Sequence, residues 1–280
     1  MTRRGFSLLE VVITLVVAGL FSTLIANTVA RVQQAGRSRA ERSGLTGSLR
    51  LALGALRREF ESFGVDSVAG ADHQALGSSS LTFRADRGLW TICRSAVDTL
   101  VLNSRQPSGL QSRAPVPNRD SLLLYLPGDS ATVIDAWLPV PITVGPIAAA
   151  CPSGGRGILF ITSLSAADRL RYRIADPGIA RLFETVNARL YVSAAGPAFG
   201  WEERSAAATV QPVASPMAPG NGLELISSDR FGVPTGVAAA VAIFDIRLRG
   251  RSARDLAVGP AIVSVVADSL SMVVGLRNVR

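Results

Sequence analysis

From Val11 to Ala30 the chain carries no charged side chain. A run of that length lets one helix cross the roughly 30 Å hydrocarbon core of a bilayer. Past it the apolar residues become periodic. Leu45, Leu49, Leu53, Leu56, Phe60 and Phe63 recur every three or four residues, while Arg50, Arg57, Arg58, Glu59 and Glu61 occupy other faces. That spacing predicts an amphipathic helix with a single apolar stripe. Gly36, Gly44, Gly47 and Gly54 lower its intrinsic propensity, so the stripe has to be held by packing on a sheet. A single helix over 6–62 would reach about 85 Å at 1.5 Å per residue. Gly19 is its weak point in the apolar half.

Beyond Gly64 the texture changes to short β-type runs separated by Gly, Pro, Ser and Asn. Strands are predicted over 81–84, 89–94, 99–103, 121–126, 132–138, 157–162, 188–192, 223–226, 240–249 and 269–276. Within the ninth of these, Phe244, Ile246 and Leu248 face one way. Three long loops are predicted, 104–120, 139–155 and 196–222. The Trp201-Glu202-Glu203-Arg204 patch in the last of them reads as a partner anchor or as a loop pin. The fold class is therefore α+β, a long N-terminal helix whose second half packs on a mostly antiparallel sheet.

The start of the apolar run holds an anomaly. It reads Arg3-Arg4-Gly5-Phe6-Ser7-Leu8-Leu9-Glu10, and a carboxylate near bilayer depth costs about 2.5–3.5 kcal/mol on insertion scales. Glu10 needs a partner or a function. Basic residues, a Gly, a Phe, then an apolar run broken by Glu at the fifth place after the Gly resemble the class III signal of type IV pilins and pseudopilins. The resemblance implies that a membrane prepilin peptidase cuts between Gly5 and Phe6 and methylates the new amino terminus of Phe6. It also implies that the Glu10 carboxylate attracts the N-terminal ammonium of a neighbouring subunit during assembly. The chain then divides into a leader over 1–5, a helix over 6–62 and a β-rich head over 63–280. The helix serves membrane and assembly over 6–30 and is amphipathic over 31–62. The closing segment, a short apolar run followed by Arg277-Asn278, and the Leu56-Arg57-Arg58-Glu59 segment are similar to the large minor pilins and J-type pseudopilins of type II secretion. What this implies is a structural subunit at the tip or initiating complex of a filament, held in the inner membrane by one span with its head in the periplasm or outside the cell. Its partners would be the peptidase, other subunits and the membrane. A secretory signal with cleavage near Ala30, or a plain signal anchor, explains the apolar run but not Glu10 within it.

Charge modifies this picture only slightly. The formal net charge is +8 and all 29 basic residues are Arg. They are scattered rather than clustered, so the alternative, a pilin-mounted head for recognition or adhesion or for binding DNA, has no motif behind it. Cys93 and Cys151 are the only cysteines. They permit one disulfide in an oxidising compartment or remain two buried thiols, because spacing alone does not bring two Cα atoms within bonding range. Two Cys and one His do not make a metal site.

Nothing in the sequence points to an enzyme. His73, the sole His, sits in a loop-like Ala71-Asp72-His73-Gln74, and no nucleophile elbow of G-x-S-x-G form occurs. Gly128-Asp129-Ser130 reads as a solvated turn. The absence of Lys removes a Walker A loop and Schiff-base chemistry. No catalytic residue, cofactor or metal ligand is assigned.

Overall fold

The computed structural model describes residues 7–96, 98–104, 113–128, 135–164, 166–167, 174, 177–194, 196–203, 209–252, 256–257, 263–265 and 267–276. One helix, α1 (Leu8–Glu61), runs unbroken through 54 residues, about 81 Å at 1.5 Å per residue. Among the described residues after it there are only strands, turns, irregular connections and short helical turns. In chain order the strands are β1 (Val65–Asp66), β2 (Gly70–Ala71), β3 (His73–Leu76), β4 (Ser80–Ser95), β5 (Thr99–Asn103), β6 (Asp120–Leu126), β7 (Ala136–Ala150) and β8 (Arg156–Thr162). There follow β9 (Gly178–Ser193), β10 (Gly196–Glu203), β11 (Val210–Ala214), β12 (Leu223–Ser228), β13 (Ile243–Arg251), β14 (Leu256–Ala257), β15 (Val263–Ser264) and β16 (Ala267–Gly275). The α+β class with an N-terminal helix holds, and the strand pairings are antiparallel.

Two long strands, β4 and β9, pair from Ser80↔Arg189 to Ile92↔Gly178 and belong to two different layers. Around their outer halves the pairing closes on itself: β9 joins β6, β6 joins β7, β7 joins β8, β8 joins β5, β5 joins β4, and β4 returns to β9. These six strands form a closed antiparallel barrel, a solution that leaves no unpaired edge. Strand alternation fills it. Leu122, Leu124, Val140, Ile142, Phe160 and Leu182 are all buried in one cluster with Trp90, Ile92, Leu100 and Leu102. Cys93, on β4, is bonded to Cys151, which follows β7, with their sulfurs 2.00 Å apart. In the chain-entropy account a bridge across 58 residues stabilises by about 4 kcal/mol.

Through the inner halves of β4 and β9 the same nine-stranded sheet continues into β3, β10 and β11, an inner sheet, while β12, β13 and β16 form a separate three-stranded sheet. The second half of α1 lies against both. Leu49, Ala52, Leu53, Leu56 and Phe60 share one core with Leu81, Phe83, Val186, Phe199, Phe244, Ile246 and Leu248. The apolar stripe of the helix is thus buried by sheet packing. At Gly250 a Cβ would meet Leu45 Cδ1 at 2.5 Å, so only glycine lets β13 approach the helix this closely. Gly88 marks the passage of β4 from one layer to the other. It has φ 139 and sits where the β4–β9 register slips between Asp86 and Gly88, a bulge that bends the strand.

Four sequence expectations are corrected. The segments 81–84 and 89–94 are one strand rather than two, because the bulge bends β4 without ending it. The predicted loop 139–155 is strand as far as Ala150. Pro139 and Pro141 lie opposite Leu123 and Ser121 of β6, and β8 pairs with β7 only from Ile142 onward. Each proline therefore sits where β7 has a neighbour on one side, the setting in which a missing N–H is tolerated. The predicted loop 196–222 contains β10 and β11. His73 likewise lies on strand β3, buried, rather than in a loop.

Candidate functional site

The most distinctive surface of the molecule is the first half of α1. From Ser7 through Arg37 every residue is exposed, including Leu15, Leu20, Phe21, Leu24 and Ile25, each more than half exposed. No described part of the head covers this apolar cylinder. Its threonine hydroxyls are satisfied within the helix itself: Thr14 Oγ1 donates to Glu10 O at 2.9 Å, Thr23 Oγ1 to Leu20 O at 2.8 Å and Thr28 Oγ1 to Leu24 O at 2.8 Å. In hydrocarbon such groups have no water to turn to, so internal pairing is the arrangement a span requires. The helix is long and apolar enough to cross a bilayer once.

Glu10 lies in the first turn, exposed, and its carboxylate makes no hydrogen bond or ion pair with any described residue. Ser7 is the N-cap residue, in extended conformation and without a side-chain capping bond. Gly5 and Phe6, the residues of the expected cleavage site, lie outside the described residues, as do Arg277 and Asn278. A carboxylate beside the partial positive charge of a helix start is favourably placed, and it is also available to a cation from outside the chain.

Among the described residues of the head, most arginines are spoken for. At the waist between the two cores, Arg87 Nε donates to Glu184 Oε1 at 2.6 Å, and its two terminal nitrogens reach Glu59 at 3.3 Å and Glu203 at 3.1 Å. Arg113 contacts the same Glu184 oxygen at 3.2 Å and Asp120 Oδ1 at 2.6 Å. On the outer wall Arg181 bridges Asp72 at 3.2 Å and Asp86 at 2.9 Å, and Arg84 Nη2 donates to Ala69 O at 2.6 Å. Burial pushes the Glu59 carboxyl above its ordinary value, with Arg87 opposing the shift. Further out, Arg189 pairs with Glu202 and Arg249 with Glu224. This pairing takes most of the head's described arginines out of contention for phosphate, which weighs against the nucleic-acid alternative.

Trp201 is on β10, against Phe199 and Phe83 with ring centroids 6.1 Å and 6.4 Å apart, while its neighbours Glu202 and Glu203 engage Arg189 and Arg87. It packs the lower core rather than projecting as an anchor. Arg204 lies outside the described residues, as do Asp129 and Ser130. Tyr125 and Trp137 form a further aromatic pair on the barrel wall, centroids 5.4 Å apart, which the sequence pattern did not distinguish from ordinary strand residues.

His73 is fully buried between Phe63 and Phe244. Its Nε2 lies 2.7 Å from Ala238 O, so that nitrogen carries the proton and donates; Nδ1 is buried without a hydrogen-bond partner among the described residues. Burial lowers its pKa from the ordinary 6.5, against the smaller opposing pull of Asp72. A depressed folded-state value means the unfolded chain takes up the proton first as pH falls. The His73 contribution is therefore intact above pH 6.5 and lost below it, at about 1.4 kcal/mol per pH unit until the folded-state value is reached. Denaturant titration at pH 7.5 and pH 5 should show this loss, and His73→Phe should remove that share of it. An unchanged pH dependence in the variant would mean that other groups carry the effect.

No family model, no curated protein and no solved structure matches the chain. The structure by itself therefore defines the class: a protein with one N-terminal helix able to span a membrane once, carrying an antiparallel β head with a closed barrel at its outer end.

Proposed function

We propose that the protein is a minor subunit of a type IV pilin or pseudopilin filament, processed between Gly5 and Phe6, methylated on Phe6, and assembled through α1. The observation that carries this reading is Glu10. It stands without a partner at the start of an apolar helix that the head leaves wholly exposed. A charge so placed is costly in lipid unless an opposite charge joins it there. The ammonium created at Phe6 on a neighbouring subunit supplies one, and the uncovered apolar surface becomes the contact between subunits. The head stands on the far side of the inner membrane from the cytoplasm, and its size and barrel suit a tip or initiating position better than a repeated shaft.

Processing is the direct test. Expressed with a prepilin peptidase, the chain should yield a product whose mass begins at N-methylated Phe6, and Gly5→Ala should abolish that product entirely. An uncut amino terminus, or cleavage near Ala30, would overturn the filament reading.

A further inference from the structure

Strand β16 lies at the margin of the three-stranded sheet, and no described strand pairs with its outer edge. The ladder to β13 fixes which groups that edge presents. Arg249 donates its N–H to Gly222 O and accepts at its carbonyl from Ala218 N, both on the β12 side. Phe244, Ile246, Leu248 and Gly250 therefore turn their backbone groups toward β16, where their partners are Val274, Met272, Leu270 and Asp268. That leaves Ser271, Val273 and Gly275 with N–H and C=O directed outward. None of these groups has a hydrogen-bond partner among the described residues. All three residues are exposed.

Open edges are normally blunted by prolines, charges, bulges or a covering segment. Other margins of this head are protected in such ways. The barrel closes on itself, β11 carries Pro212, β3 slips register between His73 and Ala75, and Leu225 of β12 donates to Ser78 O. Against this, the β16 ladder runs in unbroken register from Ile243↔Gly275 to Arg251↔Ala267. No proline or charged residue occurs from Ser269 to Gly275.

We infer that β16 is a strand-addition site, which takes an extended, uncharged segment of an unlike protein chain as a fourth, antiparallel strand of this sheet. The contact is made by the head and goes beyond the filament reading. On the helix side, Leu270 and Met272 are only half-buried against the α1 core, so apolar residues at alternate positions of the added strand complete their cover. On the other face Ser269, Ser271 and Val273 suit small or polar neighbours. A second copy of this chain is a poor occupant. β16 runs alongside α1 in the same direction, since Asp268 meets Thr46 and Val274 pairs with Phe244, whose ring lies 4.9 Å from that of Phe60. Antiparallel pairing of two β16 edges turns the second α1 end over end, so the two spans do not enter one bilayer from the same side. Parallel pairing of identical edges sets outward-facing residues level with each other, whereas a parallel ladder needs them to alternate.

The test uses the full chain in phosphatidylcholine nanodiscs and a labelled, end-capped peptide, Thr-Val-Thr-Val-Thr-Val-Thr, followed by fluorescence anisotropy. In the proposed pairing the Val side chains lie on the helix side and the Thr backbone groups face β16. N-methylation of the Val residues should therefore leave binding intact, while N-methylation of the inner Thr residues should weaken it about tenfold, as losing two or more net hydrogen bonds would. Salt should leave binding unchanged, because no charge takes part. Ser271→Pro removes only an outward N–H, the setting in which an edge strand tolerates proline, and should also weaken binding about tenfold with an unchanged denaturant midpoint. Should that variant not fold, Ser271→Lys carries the test. It should prefer a peptide with Glu at the central Thr over one with Lys there by about threefold, the effect of one exposed cross-strand pair. Equal binding of the two methylated peptides would overturn the inference. So would full binding by folded Ser271→Pro, no binding of the unmodified peptide, or dimers of the chain that Ser271→Pro dissolves. Processing at Phe6 is read separately: a cut chain that takes no strand sinks only this inference, and an uncut chain that takes one sinks only the filament reading.

Discussion

Phe60→Ala should destabilise the head by about 3–5 kcal/mol, the range for removing a large buried aromatic. Phe60 is fully buried in the last turns of α1, with ring centroids 4.9 Å from Phe63, 4.9 Å from Phe244 and 6.3 Å from Phe83. It is thus the point at which the helix, the inner sheet and the β12–β13–β16 sheet meet. Truncation loses the transfer energy of the ring and leaves a cavity that three elements from distant parts of the chain cannot easily close. Favourable edge and tilted contacts with three neighbouring rings go with it, each worth about 0.5–1.5 kcal/mol beyond area burial. Denaturant unfolding of the detergent-solubilised chain, followed by tryptophan fluorescence, measures the loss. Because Trp90 belongs to the barrel core and Trp201 packs on the lower one, fluorescence variants at each site would show whether the lower core fails first. A loss below about 1 kcal/mol would mean that the stripe is not what fastens the head to its helix.

That stripe was legible in advance, because helical periodicity and burial share one cause: residues three or four apart stack on one side. Strand alternation was legible for the same reason in β6, where Leu122, Leu124 and Leu126 turn inward. The barrel was not. Its closure depends on β4 and β9 each running through 16 residues, and Asp86-Arg87-Gly88 reads in the sequence as a turn, although the chain only bulges there. Pro139 and Pro141 misled similarly, since a proline signals a break unless one knows which side of its strand has a neighbour. The membrane half of α1 and the anomaly of Glu10 could be read directly, because both are local. The waist network could not: Glu59, Arg87, Asp120, Glu184 and Glu203 come from five elements, and nothing in their identities says that they converge.

That convergence makes Arg87 the most exposed weakness of the head's electrostatics. Arg87→Met should cost about 3–5 kcal/mol at neutral pH, the usual result of removing one member from a buried charge group. The guanidinium serves three carboxylates at once, and it is the closest cation to Glu184, whose side chain is fully buried and which Arg113 also contacts. Glu59 and Glu203 would be left facing each other and Glu184 without the cation between them. Burial already raises the Glu59 carboxyl above its ordinary 4.5, and losing Arg87 removes the main opposing pull. Carboxyls with raised folded-state values bind more protons folded than unfolded, so the variant should gain stability relative to wild type as pH falls from 7 toward 5. Its deficit should therefore narrow on acidification, opposite in sign to the acid loss expected from His73, and His73→Phe in both backgrounds separates the two. A deficit that stays constant from pH 7 to 5 would show that Arg87 acts by packing its stem across the waist rather than by holding three charges apart.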